Sequence, residues 1–250
     1  MIEDSKEIVL IDWISPKVAQ ITLNRPERLN ALSEELSRSL SRSLRDLGEA
    51  KELEVVIITG AGKRGFCTGM DLKLAAKKTE DERNQSLKAA DEMWEELGKF
   101  PKTLIAAVNG YAVGAGFQIA LNCDLIIASE SARFAMTETR VGASCVNGAW
   151  LLTPIVGLKR AADLTLTSRW LNSTDAYEWG IASRVIEDAS LLIEAKRLAV
   201  DLSERGLEGM TWTRKGLRAI RDQGGLSAEG STKLRDDGMK ASNATSSYQM

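Results

Sequence analysis

Histidine is absent from all 250 residues. Its absence removes Ser–His and Cys–His nucleophilic pairs together with most zinc sites. Acid–base chemistry near neutral pH therefore falls to carboxylates, lysine, tyrosine or cysteine. No run of about 18 apolar residues occurs, so no membrane span is expected. The N-terminal stretch MIEDSKEIVL is too acidic and polar for a signal peptide. Only three cysteines are present, Cys67, Cys123 and Cys145. They lack metal or redox spacing and suit a reducing compartment, so the expected location is cytoplasmic and no metal is expected. A net charge of −2, with both signs interspersed, provides no basic face for nucleic acid.

What the chain does have is centred on Thr103–Ala128, TLIAAVNGYAVGAGFQIALNCDLIIA. Leu104–Val108 reads as a buried strand, followed by a turn of small residues (Asn109, Gly110, Gly114, Ala115, Gly116). A helix to about Asn122 and a second strand from Asp124 come next. Glycines between a strand and a helix let backbone approach a ligand closely, and the first helical amides can face an anion. A plain strand-to-helix turn accounts for the same letters.

Elsewhere, Ile8–Ile14 and Val18–Leu23 read as strands around Ser15–Pro16–Lys17. Ser33 is a candidate N-cap, and Leu36, Leu40, Leu44 and Leu47 share one face of a helix ending near Gly48. Arg38, Arg42 and Arg45 lie off that stripe on a solvated face. Val55–Thr59 is a buried strand leading into Gly60–Ala61–Gly62–Lys63–Arg64–Gly65, a GxGxxG string. A dinucleotide fold would need a helix opening there and an acid on the next strand. Phe66–Asp71 holds another glycine turn instead, which argues against NAD. Lys77–Asn84 reads as a mobile surface loop, and helix spacing resumes over Leu87–Leu97, where Met93 and Trp94 suit core packing or a pocket wall. Beyond a short segment at Arg133–Met136 the pattern turns helical: Ala149–Val156, Lys159–Ser168, Thr174–Trp179, Leu191–Glu204, and two weaker stretches near Thr211–Arg221 and Ala228–Lys240. The pattern is an α/β core with an α-helical C-terminal appendage.

Two glycine turns, Gly69–Met70–Asp71 and Gly114–Ala115–Gly116, each follow a strand. With Asn24–Arg25–Pro26, Asn109–Gly110 and Asn122–Cys123–Asp124 they resemble the crotonase superfamily of enoyl-CoA hydratases and isomerases, from about Ile8 to Lys240. The resemblance implies a crotonase-like spiral of ββα units over residues 1–195. It also implies a helical C-terminal trimerisation region over 196–250, with the family's last helix missing. It further implies an acyl-CoA thioester substrate, no separate cofactor, and a homotrimer or hexamer. The main-chain amides of Met70 and Ala115 would bind the thioester oxygen as it becomes an enolate, each such donor typically contributing about 3 kcal/mol. Arg28, Leu29, Cys67, Thr68, Asp71, Leu72 and Gly114 would surround the CoA portion, although a capping role also suits Asp71.

Hydratases of this family use two glutamates. The first maps onto Gln118, whose amide can hold water but exchanges no proton at neutral pH. The second maps onto Glu138, in Thr137–Glu138–Thr139–Arg140–Val141–Gly142. One carboxylate without the other resembles the Δ3-Δ2-enoyl-CoA isomerases, where a single glutamate shuttles the proton. Apart from the resemblance, Glu138 suits a surface carboxylate paired with Arg140 or Arg133, and Gln118 a helix amide bonded to nearby backbone. A base at Glu138 would be partly buried. Met136 and Trp150 are candidate walls of an acyl pocket. A hydratase of low activity and a non-catalytic acyl-CoA binder fit the same letters.

Overall fold

Three times the chain makes a buried strand, turns through a short second strand and runs on into helix. The computed structural model describes residues 7–223. Strands β1 (Val9–Ser15) and β2 (Val18–Leu23) form a hairpin, followed by α1 (Glu34–Glu49). The first repeat comprises β3 (Val55–Gly60), β4 (Gly65–Cys67), α2 (Leu72–Ala75) and α3 (Glu80–Lys99). The second is β5 (Thr103–Val108), β6 (Tyr111–Val113) and α4 (Ala115–Asn122). The third is β7 (Leu125–Ser129), β8 (Arg133–Ala135), a 3-10 turn at Glu138–Val141, then α5 (Val146–Val156) and α6 (Leu158–Thr167). The described chain finishes with β9 (Leu171–Asn172), α7 (Ser173–Glu178), β10 (Arg184–Ile186), α8 (Leu191–Ser203) and α9 (Leu207–Gln223).

Each repeat contributes its long strand to one sheet and its short strand to another. The larger sheet has the order β1-β2-β3-β5-β7-β10 and the smaller one β4-β6-β8-β9. Pairing is parallel except at β1/β2 and β8/β9. Both faces of the larger sheet are covered, which is why its strands read as unbroken apolar runs. Ile21, Val56, Ile58, Leu104 and Ala106 face Leu36, Leu40 and Leu44 of α1 with Met93 and Leu97 of α3. The alternate residues Val18, Val55, Ile57, Ile105, Ala107 and Ile127 face Leu191, Ala195, Leu198 and Ala199 of α8. Each fully buried Leu, Ile or Val contributes roughly 1.5–3 kcal/mol.

The expected division at residue 195 falls inside α8, and residues on both sides of it pack on the sheet. α9 is tied down by Arg214 and Arg218, whose Nε atoms donate to Asp124 at 2.6 and 3.3 Å, while Arg214 also donates to the Phe100 carbonyl at 2.5 Å.

Several expectations change. Of the expected loop Lys77–Asn84 only Lys77–Thr79 is a connection: Thr79 and Glu82 form a capping box, and Glu80, Asp81 and Glu82 occupy the first turn of α3. Acids there favour the helix dipole, so a run that looks merely charged is a helix start. Arg42 and Arg45 are exposed, as a solvated face requires, and Arg45 also pairs with Glu96 of α3 at 3.0 Å and Arg38 with Glu34 at 3.2 Å. The Asn109–Gly116 turn contains a strand, β6, too short to carry periodicity. Met93 is buried, with Trp94 packed beside it. The expected helix at Ala228–Lys240 lies outside the described residues. Among the described residues no helix is long and apolar enough to cross a membrane and no metal-ligating cluster occurs.

Candidate active site

Backbone fit brings the two glycine turns together. Gly69 has φ +77°, and a Cβ there would lie 2.7 Å from the Val113 oxygen and 3.2 Å from the Ala115 nitrogen. A Cβ on Gly116 would overlap the Cys67 carbonyl. Only glycine lets α4 start this close to the segment carrying Met70. That segment is fixed on its other side by Leu32, whose N–H donates to Gly69 O at 2.7 Å and whose carbonyl accepts from Asp71 N at 2.9 Å. Residue 70 pairs with Leu32 in a parallel bridge whose bonds run through its neighbours, so the Met70 N–H points away from Leu32. Ala115 is the first residue of α4, whose opening amides have no acceptor within the helix.

Glu138 stands against the same turn. It opens the 3-10 turn after β8, is half-buried, and its Oε1 lies 3.3 Å from where a Gly114 Cβ would be. Gln118, buried on α4, donates from Nε2 to Glu138 Oε1 at 2.7 Å. Asn147, on the exposed first turn of α5, donates from Nδ2 to Gln118 Oε1 at 2.7 Å. Glu138 Oε2 is buried and, among the described residues, has no hydrogen-bond partner. Neither Arg140 nor Arg133 is in ion-pair range of it: Arg133 donates instead to the Glu130 and Ala132 carbonyls. Gln118, likewise, bonds two side chains with its amide and leaves only its main-chain oxygen to Asn122. Cys145 faces Glu138, and burial, followed by that carboxylate's charge and its hydrogen bonding to the thiol, raises the thiol to about 12, which keeps it protonated. The amide chain from Asn147 carries no motif, so nothing in the sequence marks it.

The residues expected around CoA lie on three segments: the end of the first 3-10 turn, the β4–α2 connection, and Gly114 ahead of α4. Arg28 ends the 3-10 turn Pro26–Arg28 and is exposed, and Leu29 follows it at φ +51°. The Leu29 carbonyl accepts from the Thr68 hydroxyl at 3.3 Å. Cys67 is fully buried in β4, and burial pushes its thiol up to about 12, so it contributes backbone rather than sulfur chemistry. Asp71 caps α2, accepting from Leu74 N at 3.1 Å, and pairs with Arg25 at 3.1 Å. Burial opposes its ionisation, yet the Leu74 amide and the Arg25 guanidinium hold its carboxyl below the usual range. Leu72 is exposed beside it. A mainly apolar cleft of about 160 Å³ opens next to Met70, walled by Leu32, Leu74, Ala75 and Leu87. Met136 lies in the core and Trp150 on the surface, and neither lines that cleft.

A two-sheet spiral with paired glycine turns over a half-buried carboxylate defines a crotonase-fold protein. The sequence model of the enoyl-CoA hydratase/isomerase family matches residues 14–223. The 1,2-epoxyphenylacetyl-CoA isomerase of Escherichia coli K12 is 34% identical over 207 residues, 80% of this chain and 78% of that protein. The crystal structure of an enoyl-CoA hydratase from Bacillus anthracis superposes with a TM-score of 0.89 at 29% identity, covering 96% of this chain and 92% of that one. A monofunctional enoyl CoA isomerase from M. smegmatis superposes with a TM-score of 0.77 at 32% identity, covering 90% and 98%. The chain belongs to the enoyl-CoA hydratase/isomerase family.

Proposed function

We propose that the protein moves the double bond of enoyl-CoA thioesters, with Glu138 as its one proton carrier. The Met70 and Ala115 amides hold the thioester oxygen. Glu138 Oε2 takes the α-proton of a 3-enoyl thioester, the electron pair moves into a dienolate whose oxygen sits on the two amides, and Oε2 returns the proton at the γ-carbon. No atom is gained or lost. The observation carrying this reading is the division of labour on Glu138: Oε1 is held by Gln118, while Oε2 is buried with no hydrogen-bond partner among the described residues. Preorganised amides of this kind stabilise developing charge at no reorganisation cost. The loop at Arg28–Leu29, the main chain of Cys67–Thr68, Asp71–Leu72 and Gly114 would carry the CoA portion.

Hydration is the second reading. Gln118 could hold a water, and the B. anthracis structure bears a hydratase name. Under that reading Gln118 is a poor replacement for an acid, so turnover would be slow. Assaying 3-enoyl-CoA and 2-enoyl-CoA substrates side by side, with Glu138→Gln as control, separates these readings from a third, an acyl-CoA binder that turns nothing over. Isomerisation abolished by the substitution supports the proposal. Hydration that survives it would sink Glu138 as the base, and tight thioester binding without turnover would favour the binder. Assembly as a homotrimer or hexamer is part of the same reading, supported by exposed apolar side chains along α5, α6 and α9: Val146, Trp150, Leu158, Leu166, Leu217 and Ile220. Light scattering on the purified chain tests it. Free, buried Cys67, Cys123 and Cys145 fit a reducing cytoplasm.

A further inference from the structure

We propose that Asn147 is a positioning residue, which holds the Gln118 amide with its N–H side toward Glu138 and so leaves Oε2 as the atom that exchanges protons. The proposal rests on reading Glu138 as the proton carrier. A carboxamide has a donating end and an accepting end, and half a turn exchanges them with little change of shape. An ionised Glu138 only accepts, so Gln118 must present Nε2 to it, at 2.7 Å. That orientation turns Gln118 Oε1 outward, where the Asn147 Nδ2 meets it at 2.7 Å. Without a donor at residue 147 the buried Gln118 oxygen would have no side-chain partner, and the turned-over amide would set oxygen against the carboxylate. Asn147 itself is exposed while Gln118 is buried, so the chain of amides runs from the surface to the base. Asn147 reaches Glu138 only through Gln118, and its effect must therefore depend on Gln118.

The strongest probe is an acceptor of nearly the same shape. In Asn147→Asp the new carboxylate draws Gln118 Nε2 toward itself and points Oε1 at Glu138, inverting the chain, whereas Asn147→Ala merely releases it. Charge-assisted hydrogen bonds of this type lead us to expect kcat on 3-enoyl-CoA to fall about fivefold in Asn147→Ala and about thirtyfold in Asn147→Asp. KM should stay within about twofold, since the contact is not to substrate. In a Gln118→Met background, Asn147→Ala should change kcat by less than about twofold, because removing the intermediary removes the coupling. Three results would overturn the proposal: wild-type kcat in both Asn147 variants while Glu138→Gln is inactive, Asn147→Asp no worse than Asn147→Ala, or the same Asn147 losses with and without Gln118. Glu138→Gln that still isomerises would instead remove the base assignment, so the two failures are distinguishable. The Asp-versus-Ala comparison stands on its own if the buried Gln118→Met variant does not fold.

Discussion

Glycine turns follow β3, β4 and β6, and the first treats its polar atoms differently from the other two. The carbonyls of the Gly60–Gly65 turn are held by two asparagines. Asn109 Nδ2 donates to the Gly60 and Gly62 carbonyls at 2.8 Å each. Asn30, fully buried, donates to Ala61 and Gly65 at 3.0 and 2.7 Å and accepts from Arg25 N at 2.9 Å. The paired turns at Gly69–Met70 and Gly114–Ala115 are left open. The Met70 N–H faces away from its bridging strand, α4 starts with unshared amides, and Glu138 Oε2 is buried without a partner among the described residues. Under the proposed function, the bonded turn belongs to the scaffold and the open pair is where a ligand would complete the bonding. The glycine string that looks more like a motif is thus the structural one.

The largest effect should come from the open side. Glu138→Gln keeps the shape of the side chain and removes the proposed proton carrier, so kcat for isomerisation should fall by about 10³, near 4 kcal/mol in the barrier, with the melting temperature little changed. A residual rate within tenfold of wild type would place the base elsewhere. Next comes the turn itself. Main-chain donors cannot be deleted by changing their own side chains, so Met70→Leu should alter kcat by less than about threefold. Gly69→Ala, which forces a methyl against Val113 O and the Ala115 nitrogen, should displace a donor and cost about a hundredfold. Equal losses in the two variants would show that side-chain packing at residue 70, not the amide, carries the effect.

Much of this contrast is legible in the sequence alone. The long strands, the Leu36–Leu47 stripe and the positions of the glycine turns follow from apolar runs and backbone permissiveness, which are local properties. Glu138 and Gln118 were legible only through family resemblance, because 20 positions separate them in the chain. The short strands β4, β6 and β9 were not legible, since two or three residues carry no period and exist only because a neighbouring strand pairs with them. Asn147 left no trace for a similar reason: its role depends on a partner 29 residues away. The start of α3 was readable from Thr79–Glu82 but was hidden by its charge.

On the bonded side, effects should appear in stability rather than rate. Asn30→Ala strands the Ala61 and Gly65 carbonyls and leaves residue 30 at φ +57°, where alanine is strained. A loss of about 2 kcal/mol in chemical denaturation is expected, with kcat per folded molecule unchanged within about twofold. A large fall in kcat at full folding would erase the distinction drawn between the turns.

Asp71 sits on the border, capping α2 and pairing with Arg25 while following Met70, and it gives the smallest and sharpest test. Asparagine caps helices about as well as aspartate, so Asp71→Asn removes the charge facing Arg25 and keeps the cap. Because the folded carboxyl is held below its ordinary value, its contribution is complete above about pH 3.9, the unfolded aspartate value, and disappears as the pH falls through the folded value beneath that. Wild type should therefore exceed Asp71→Asn by about 1 kcal/mol at pH 7, near the upper end for a partly exposed ion pair. The gap should close in acid below the ordinary aspartate range, and denaturation at both ends of that range measures it. A gap indifferent to pH would mean that Asp71 acts by shape alone. A rise in KM for the CoA thioester of tenfold or more, with stability intact, would move Asp71 from the scaffold to the ligand-binding side.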